Sequence, residues 1–197
     1  MRRTTSDDII AGADYILEVN GVHDFTIDKL VDYLEIAKGT FYKYFASKDD
    51  ILAEVSVKAL NQLRNYFKLS ERNSPDNQMK TYYLIMSCYY YYIDYPHYFE
   101  LIVYMERPEF KTSSSSYKNS SFELQKFIID HVENQQKKGV FKKEINSNLA
   151  NYFIWGSTMG VMQFIDSKKV FLEEHTDISL KELVEAFVKV LVDGMKV

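Results

Sequence analysis

A single cysteine, Cys88, stands in the whole chain, so no internal disulfide can form. The four histidines, His23, His97, His131 and His175, are scattered, and no Cys/His spacing would hold a structural zinc. Cys88 lies among tyrosines, which leaves two readings, a small core residue and a reactive thiol. Only three prolines and seven glycines interrupt the sequence, and no sustained polar–apolar alternation marks a sheet. No run of about 18 apolar residues exists, so no membrane span is expected. Arg2 and Arg3 lead into Asp7 and Asp8 rather than an apolar stretch, which argues against a signal peptide. The expected compartment is the cytoplasm. A phosphate-cradling glycine loop, a nucleophile elbow and the paired Glu-x-x-His of a di-iron bundle are all missing. Catalysis, a metal and a cofactor are therefore not expected.

What is present is apolar and aromatic. Hydrophobic residues make up 46% of the 197, enough for a real core, and they recur at three- and four-residue spacing. The class is all-α. The spacing predicts helices over 6–19, 27–33 and 38–44, then a long one from the Ser47-Lys48-Asp49-Asp50 capping signature to about 69. Further helices are expected over 76–94, 97–105, 122–138, 148–166 and 179–195. Ser6 is the expected cap of the first, Thr26 of the second, and Asn20-Gly21 the end of the first. Residues 106–121, with Pro108 and the run Ser113-Ser114-Ser115-Ser116, read as a mobile loop.

The net charge of −4 does not suit a protein that coats nucleic acid without regard to sequence. The charge is uneven, however. The acids of the N-terminal segment stop at Glu35, and between Ile36 and Lys48 there are lysines and no acid. That stretch holds a short helix after a tight turn, carrying Lys38, Gly39, Thr40, Tyr42, Lys43 and Tyr44. Phosphate donors and aromatic edges on a helix that short suit a recognition helix packed against a supporting one. The chain reads as a DNA-reading head on a larger helical body.

The order Gly39-Thr40-Phe41-Tyr42, Phe45, Ser47-Lys48, Ile51-Leu52 resembles the helix-turn-helix signature of TetR-type transcriptional regulators. The specific match covers roughly residues 9–52. The resemblance implies a DNA-binding domain over residues 1–46 and a ligand-binding and dimerisation domain over 47–197. It also implies roles for particular residues. Thr26 would cap its helix or offer a hydroxyl to a phosphate, and Lys38 would reach a guanine edge or a phosphate. Gly39 would let backbone approach DNA, Thr40 would offer a hydroxyl and a methyl, and Tyr42 would donate to a phosphate. Tyr44 stands where the family often has histidine, and Lys43 and Lys48 would hold the DNA backbone. Phe45 is expected in the core, while Phe41 is open between core and a thymine methyl. Two positions depart from the pattern, with Glu35 where the turn commonly has glycine and Ala37 where a serine cap is common. Arg2 and Arg3 could serve as a minor-groove arm or a plain tail.

One small head reads few base pairs, so a twofold dimer on a palindromic double-stranded operator is expected. The last two helices carry more apolar surface than one subunit should bury. Phe153, Gly156, Gly160, Phe164, Leu183, Phe187, Val188 and Leu191 are the candidate dimerisation residues, in a four-helix interface resembling the family's. Sixteen tyrosines are unusual. Tyr83, Met86 and Tyr90 share a helical face and could line a pocket with Tyr104, Phe127, His131 and Phe153 for a small, largely apolar or aromatic effector. By resemblance, that effector would release a repressor from its operator through the long helix beginning at Ser47. The alternative is a helical ligand- or partner-binding protein whose head no longer reads DNA.

Overall fold

The computed structural model describes residues 4–197, and the Arg2-Arg3 arm lies outside the described residues. The fold is all-α, and among the described residues the only β pairing is an isolated bridge between Phe141 and Lys196. No described helix is long and apolar enough to cross a membrane.

Local chemistry sets where the helices begin. Thr5, one residue before the expected Ser6, caps α1 (Ser6–Asn20). Its hydroxyl accepts from the Asp8 N–H, and the Asp8 carboxylate takes the Thr5 N–H in return. Gly21, at φ 73°, ends the helix with its N–H on the Leu17 carbonyl. Thr26 caps α2 (Ile27–Tyr33) by accepting from the Lys29 N–H at 3.2 Å. α3 (Lys38–Phe41) is shorter than the expected 38–44. Ala37 offers it no side-chain cap, and residues 42–44 continue as turns. An uncapped run with Gly39 inside it has little helical stability of its own, and burial of Phe41 and Phe45 holds it in place.

Ser47 and Asp50 close the start of α4 (Lys48–Asn73), each bonding the other's group at about 3 Å. This helix runs four residues past the expected end. α5 (Lys80–Asp94) and α6 (Pro96–Met105) follow, with Pro96 at the first helical position, where its missing N–H costs nothing. The serine run proves helical. α7 (Ser115–Lys137) starts seven residues before the expected 122, because the Ser114 hydroxyl accepts from the Tyr117 N–H at 3.0 Å. α8 (Ser147–His175) extends nine residues beyond 166, and α9 (Leu180–Met195) is capped by a Ser179–Glu182 box.

The chain forms two compact units. The first joins Met1–Gln62 to Tyr95–Phe122, and the second joins Leu63–Asp94 to Glu123–Val197. In the first, α1 meets α2 and α6, and α2 meets α3. A Cβ on Gly12 would stand 2.8 Å from a Leu34 methyl, so any larger residue there would have to displace that side chain where α1 meets α2. Tyr98 on α6 donates to Asp14 on α1 at 2.7 Å. In the second unit, α5 packs on α9 and α8, and α8 on α9. Met86, Val132, Phe141, Met162, Ile165, Val184 and Val188 are buried there.

Candidate nucleic-acid interface

The first unit presents α3 and its flanks. Phe41 is fully buried and Phe45 nearly so, which fixes the rest of the run outward. Phe41 is thereby core. Lys38, Gly39, Tyr42, Lys43 and Tyr44 are exposed and Thr40 is half-buried, so most of the expected DNA-facing set lies in one exposed stretch. A Cβ at Gly39 would meet nothing within 4 Å, so backbone there is open to an approaching surface. Thr26 is exposed and fills its capping role.

Three of these side chains have internal partners that the sequence does not announce. Lys38 Nζ lies 2.5 Å from Asp28 Oδ1, and that hydrogen-bonded carboxylate raises the lysine's pKa. The Tyr44 hydroxyl donates to the Thr4 carbonyl at 2.8 Å. Lys48 is half-buried, its ammonium 3.4 Å from the Val22 carbonyl and over the rings of Phe25 and Tyr104. It holds the turn after α1 together rather than extending freely. Glu35 does take the glycine position of the turn, at φ 52°, with its N–H on the Asp32 carbonyl at 3.1 Å.

Immediately beyond α3, the first turn of α4 is strapped by the α6–α7 connection. Asp49 is ion-paired with Arg107 and accepts from the Lys111 N–H. Asp50 accepts from the Thr112 hydroxyl at 2.9 Å and the Ser113 N–H at 3.2 Å. Burial alone would raise the Asp50 carboxyl, but these hydrogen bonds, with Ser47, hold it below its ordinary value. The Arg107 guanidinium also lies 4.0 Å from the Tyr104 ring centre. The segment expected to be a mobile loop is thus tied down by carboxylates in the N-terminal turn of α4.

The second unit divides the expected ligand-binding set. Tyr83 and Tyr90 line an open groove of about 510 Å³ with Ser87 on α5 and with Tyr66, Leu69, Ser70 and Asn73 on α4. Met86 does not reach it, because Met86 points into the core and is 1% exposed. Phe127 packs against Phe67 at 5.8 Å. Tyr104 belongs to the first unit, between Lys48 and Arg107. Phe153 is 61% exposed. His131 is buried with both ring nitrogens occupied, Nδ1 by Glu71 at 2.5 Å and Nε2 by the Thr81 hydroxyl at 2.8 Å. That hydrogen bond, ahead of opposing desolvation, lowers the Glu71 pKa, and Lys80 and Lys138 add to it. His131 therefore joins α7 to α4 and α5 instead of facing a cavity. The helical spacing 66, 69, 70, 73 could have revealed the missed groove wall, but it is also the spacing of any core stripe.

Among the dimerisation candidates, Phe153, Gly156, Gly160 and Phe164 are exposed on α8, and Leu183 and Phe187 are half-buried on α9. Val188 and Leu191 are not available. They point into their own subunit, at 0% and 7% exposure. Tyr152, Phe171 and Val190 are exposed large apolar residues on the same two helices, beyond the expected set. Cys88 is buried and its thiol is pushed up to about 12 by desolvation, so it is a core residue. Among the described residues no three His, Cys, Asp or Glu side chains cluster as a metal site.

Residues 2–55 match the family model of bacterial regulatory proteins, tetR family. No curated protein matches the chain. Solved structures match over nearly its whole length. The fatty acid degradation regulator FadR of Bacillus halodurans is 18% identical, with 97% of each chain covered and a TM-score of 0.70. FadR of Bacillus subtilis, in complex with stearoyl-CoA, is 17% identical over 97% of this chain and 100% of that one, at 0.67. The TetR family regulator PfmR of Thermus thermophilus is 16% identical, with all of each chain covered, at 0.62. At such identities the likeness establishes the fold.

Proposed function

We infer, from a head that belongs to the tetR family of bacterial regulatory proteins and a chain that keeps the fold of such regulators throughout, that this protein is a dimeric, sequence-specific DNA-binding repressor released by a small effector. The observation that carries the reading is the exposed run from Lys38 to Tyr44, anchored by buried Phe41 and Phe45 in the segment that matches the family. Residues 1–46 form the DNA-binding domain and 47–197 the effector and dimerisation body. Lys38 reads a base edge or phosphate, Thr40 and Tyr42 contact the duplex, and Lys43 and Thr26 position it, while Tyr44 and Lys48 join them by leaving the Thr4 and Val22 carbonyls. The exposed apolar surface of α8 and α9, from Phe153 to Val190, pairs with a second copy so that two heads reach successive turns of one operator face. The B. subtilis neighbour is in complex with stearoyl-CoA, which supports a largely apolar effector here. The effector acts by preferring a conformation whose heads are wrongly spaced, since equal affinity for both would shift nothing.

The test is a pair of variants, Lys38→Ala and Tyr42→Ala, assayed for operator binding and for dimerisation. Loss of DNA binding with an intact dimer supports the reading, and unchanged DNA binding overturns it. The Lys38–Asp28 pair and Glu35 favour one rival, a ligand- or partner-binding protein whose head no longer reads DNA, because both set carboxylates beside the reading surface.

A further inference from the structure

We propose that the open groove between α4 and α5 is a binding site for an uncharged, planar aromatic small molecule. This deepens the effector reading above and rests on it for the regulatory consequence, but not for the binding itself.

The groove lies where one face of α4 meets one face of α5, with buried Ser87 at its floor. On α4 the face is Tyr66, Leu69, Ser70 and Asn73, and on α5 it is Tyr83, Ser87 and Tyr90, both at helical spacing. Leu69, Tyr83 and Tyr90 remain exposed. The trench comes from the two serines, which leave space where larger residues would close it. Its volume, about 510 Å³, falls in the range of small-molecule sites.

The chemistry of the lining selects the ligand. The Ser70 hydroxyl donates to the Phe67 carbonyl at 2.8 Å and the Ser87 hydroxyl to the Leu84 carbonyl at 2.6 Å. Both serines have turned their donors back into their own helices. The Tyr66 hydroxyl is committed to Asp94 at 2.5 Å. A polyhydroxylated ligand such as a sugar would find no donor from Ser70, Ser87 or Tyr66 for its own oxygens. None of the lining side chains carries a charge, and Lys181, a cation that reaches the Tyr90 hydroxyl, is already paired with Glu185 at 3.6 Å, so an ionic ligand would have to compete for its countercharge. What the groove offers is tyrosine surface. Tyr83 and Tyr90 are two turns apart, roughly 10.5 Å along the axis, so a ring midway over Ser87 would lie about 5 Å from each, within the spacing of aromatic pairs. Asn73, the last residue of α4, supplies an amide for one polar substituent at the end of the ligand.

The experiment uses the full chain and two probes sharing one ring system: neutral N-phenyl-1-naphthylamine and anionic 1-anilinonaphthalene-8-sulfonate. Fluorescence titration should show saturable binding of the neutral probe, with the anionic one at least about tenfold weaker. Tyr83→Ala and Tyr90→Ala should each weaken the neutral probe by about tenfold, while Tyr83→Phe and Tyr90→Phe should retain it, since faces and not hydroxyls bind. Ser70→Phe, which fills the trench, should abolish it. Both tyrosines are partly exposed, so the variants should keep wild-type circular dichroism and melting. Neutral-probe binding that ignores the alanine variants and Ser70→Phe, or tighter binding of the anion at this site, overturns the proposal. These titrations contain no DNA, so failure of the head to bind an operator would sink the regulatory reading and leave the groove standing or falling on its own result.

Discussion

At the scale of single residues, the carboxylates around α3 bear on the proposed DNA contacts. Asp28 holds Lys38 while no phosphate is present, and DNA must compete with it. Both groups are exposed, so the competition is weak. Asp28→Asn should tighten operator binding roughly twofold to fivefold, measured by fluorescence anisotropy at low salt, and the gain should shrink as salt rises. A weaker complex would mean that Asp28 orients the lysine for DNA instead of restraining it. Glu35 sits at φ 52°, where a side chain costs about 1–2 kcal/mol and glycine does not. Part of that is returned through the looser unfolded chain, so Glu35→Gly should stabilise the protein by up to about 1 kcal/mol in urea unfolding. The departure was visible in the sequence as a missing glycine. The partners of Lys38, Tyr44 and Lys48 were not, because Asp28, Thr4 and Val22 are remote in sequence and reach them only once the head has folded.

At the scale of elements, the device that fixes the start of α4 is the strap from the α6–α7 connection. Asp49 and Asp50 gather Arg107, Lys111, Thr112 and Ser113 onto one helical turn. Limited proteolysis should therefore spare 106–114 in the wild type, although its composition is that of a loop, and the Asp49→Asn/Asp50→Asn double variant should be cut there first. Early cutting of the wild type would show that the strap does not hold. The serine run misled because composition records polarity and not capping, and one hydroxyl, Ser114, is enough to start α7 early. The second device joins α4, α5 and α7 through Glu71, Thr81 and His131. The folded Glu71 carboxyl titrates below its unfolded value, so its contribution is fully present above the unfolded carboxylate pKa of about 4.3 and is lost as pH falls through the folded value. Between pH 7 and pH 3 the wild type should lose more stability than Glu71→Gln, followed by urea unfolding at each pH. Parallel pH profiles would remove Glu71 from the acid response.

At the scale of the whole molecule, the order of helices was legible because apolar spacing and caps are local properties. In the head the burial of Phe45 was legible, whereas Phe41, which the sequence left open, proves to be core, and Tyr42, Lys43 and Tyr44 between them are exposed. The body was harder. Periodicity identifies which residues share a face, but not whether that face meets a core, a groove or a second copy. That is why Tyr83 and Met86 part company, and why Val188 and Leu191 turn inward while Tyr152 and Val190 do not. The proposed dimer and operator belong to an assembly that one chain does not contain, and the proposal rests on the exposed α8–α9 surface and the exposed α3 run together.

The measurement that bears most directly on this account is recovery of DNA by the purified full-length protein from fragments of its own genome, including the sequence flanking its gene, at two salt concentrations. A dimeric sequence-specific regulator should recover one palindromic site with half-sites about 34–36 Å apart, protected symmetrically, with affinity that falls as salt rises and is lost in Lys38→Ala. No selective recovery at low salt, or recovery unaffected by Lys38→Ala, would contradict it.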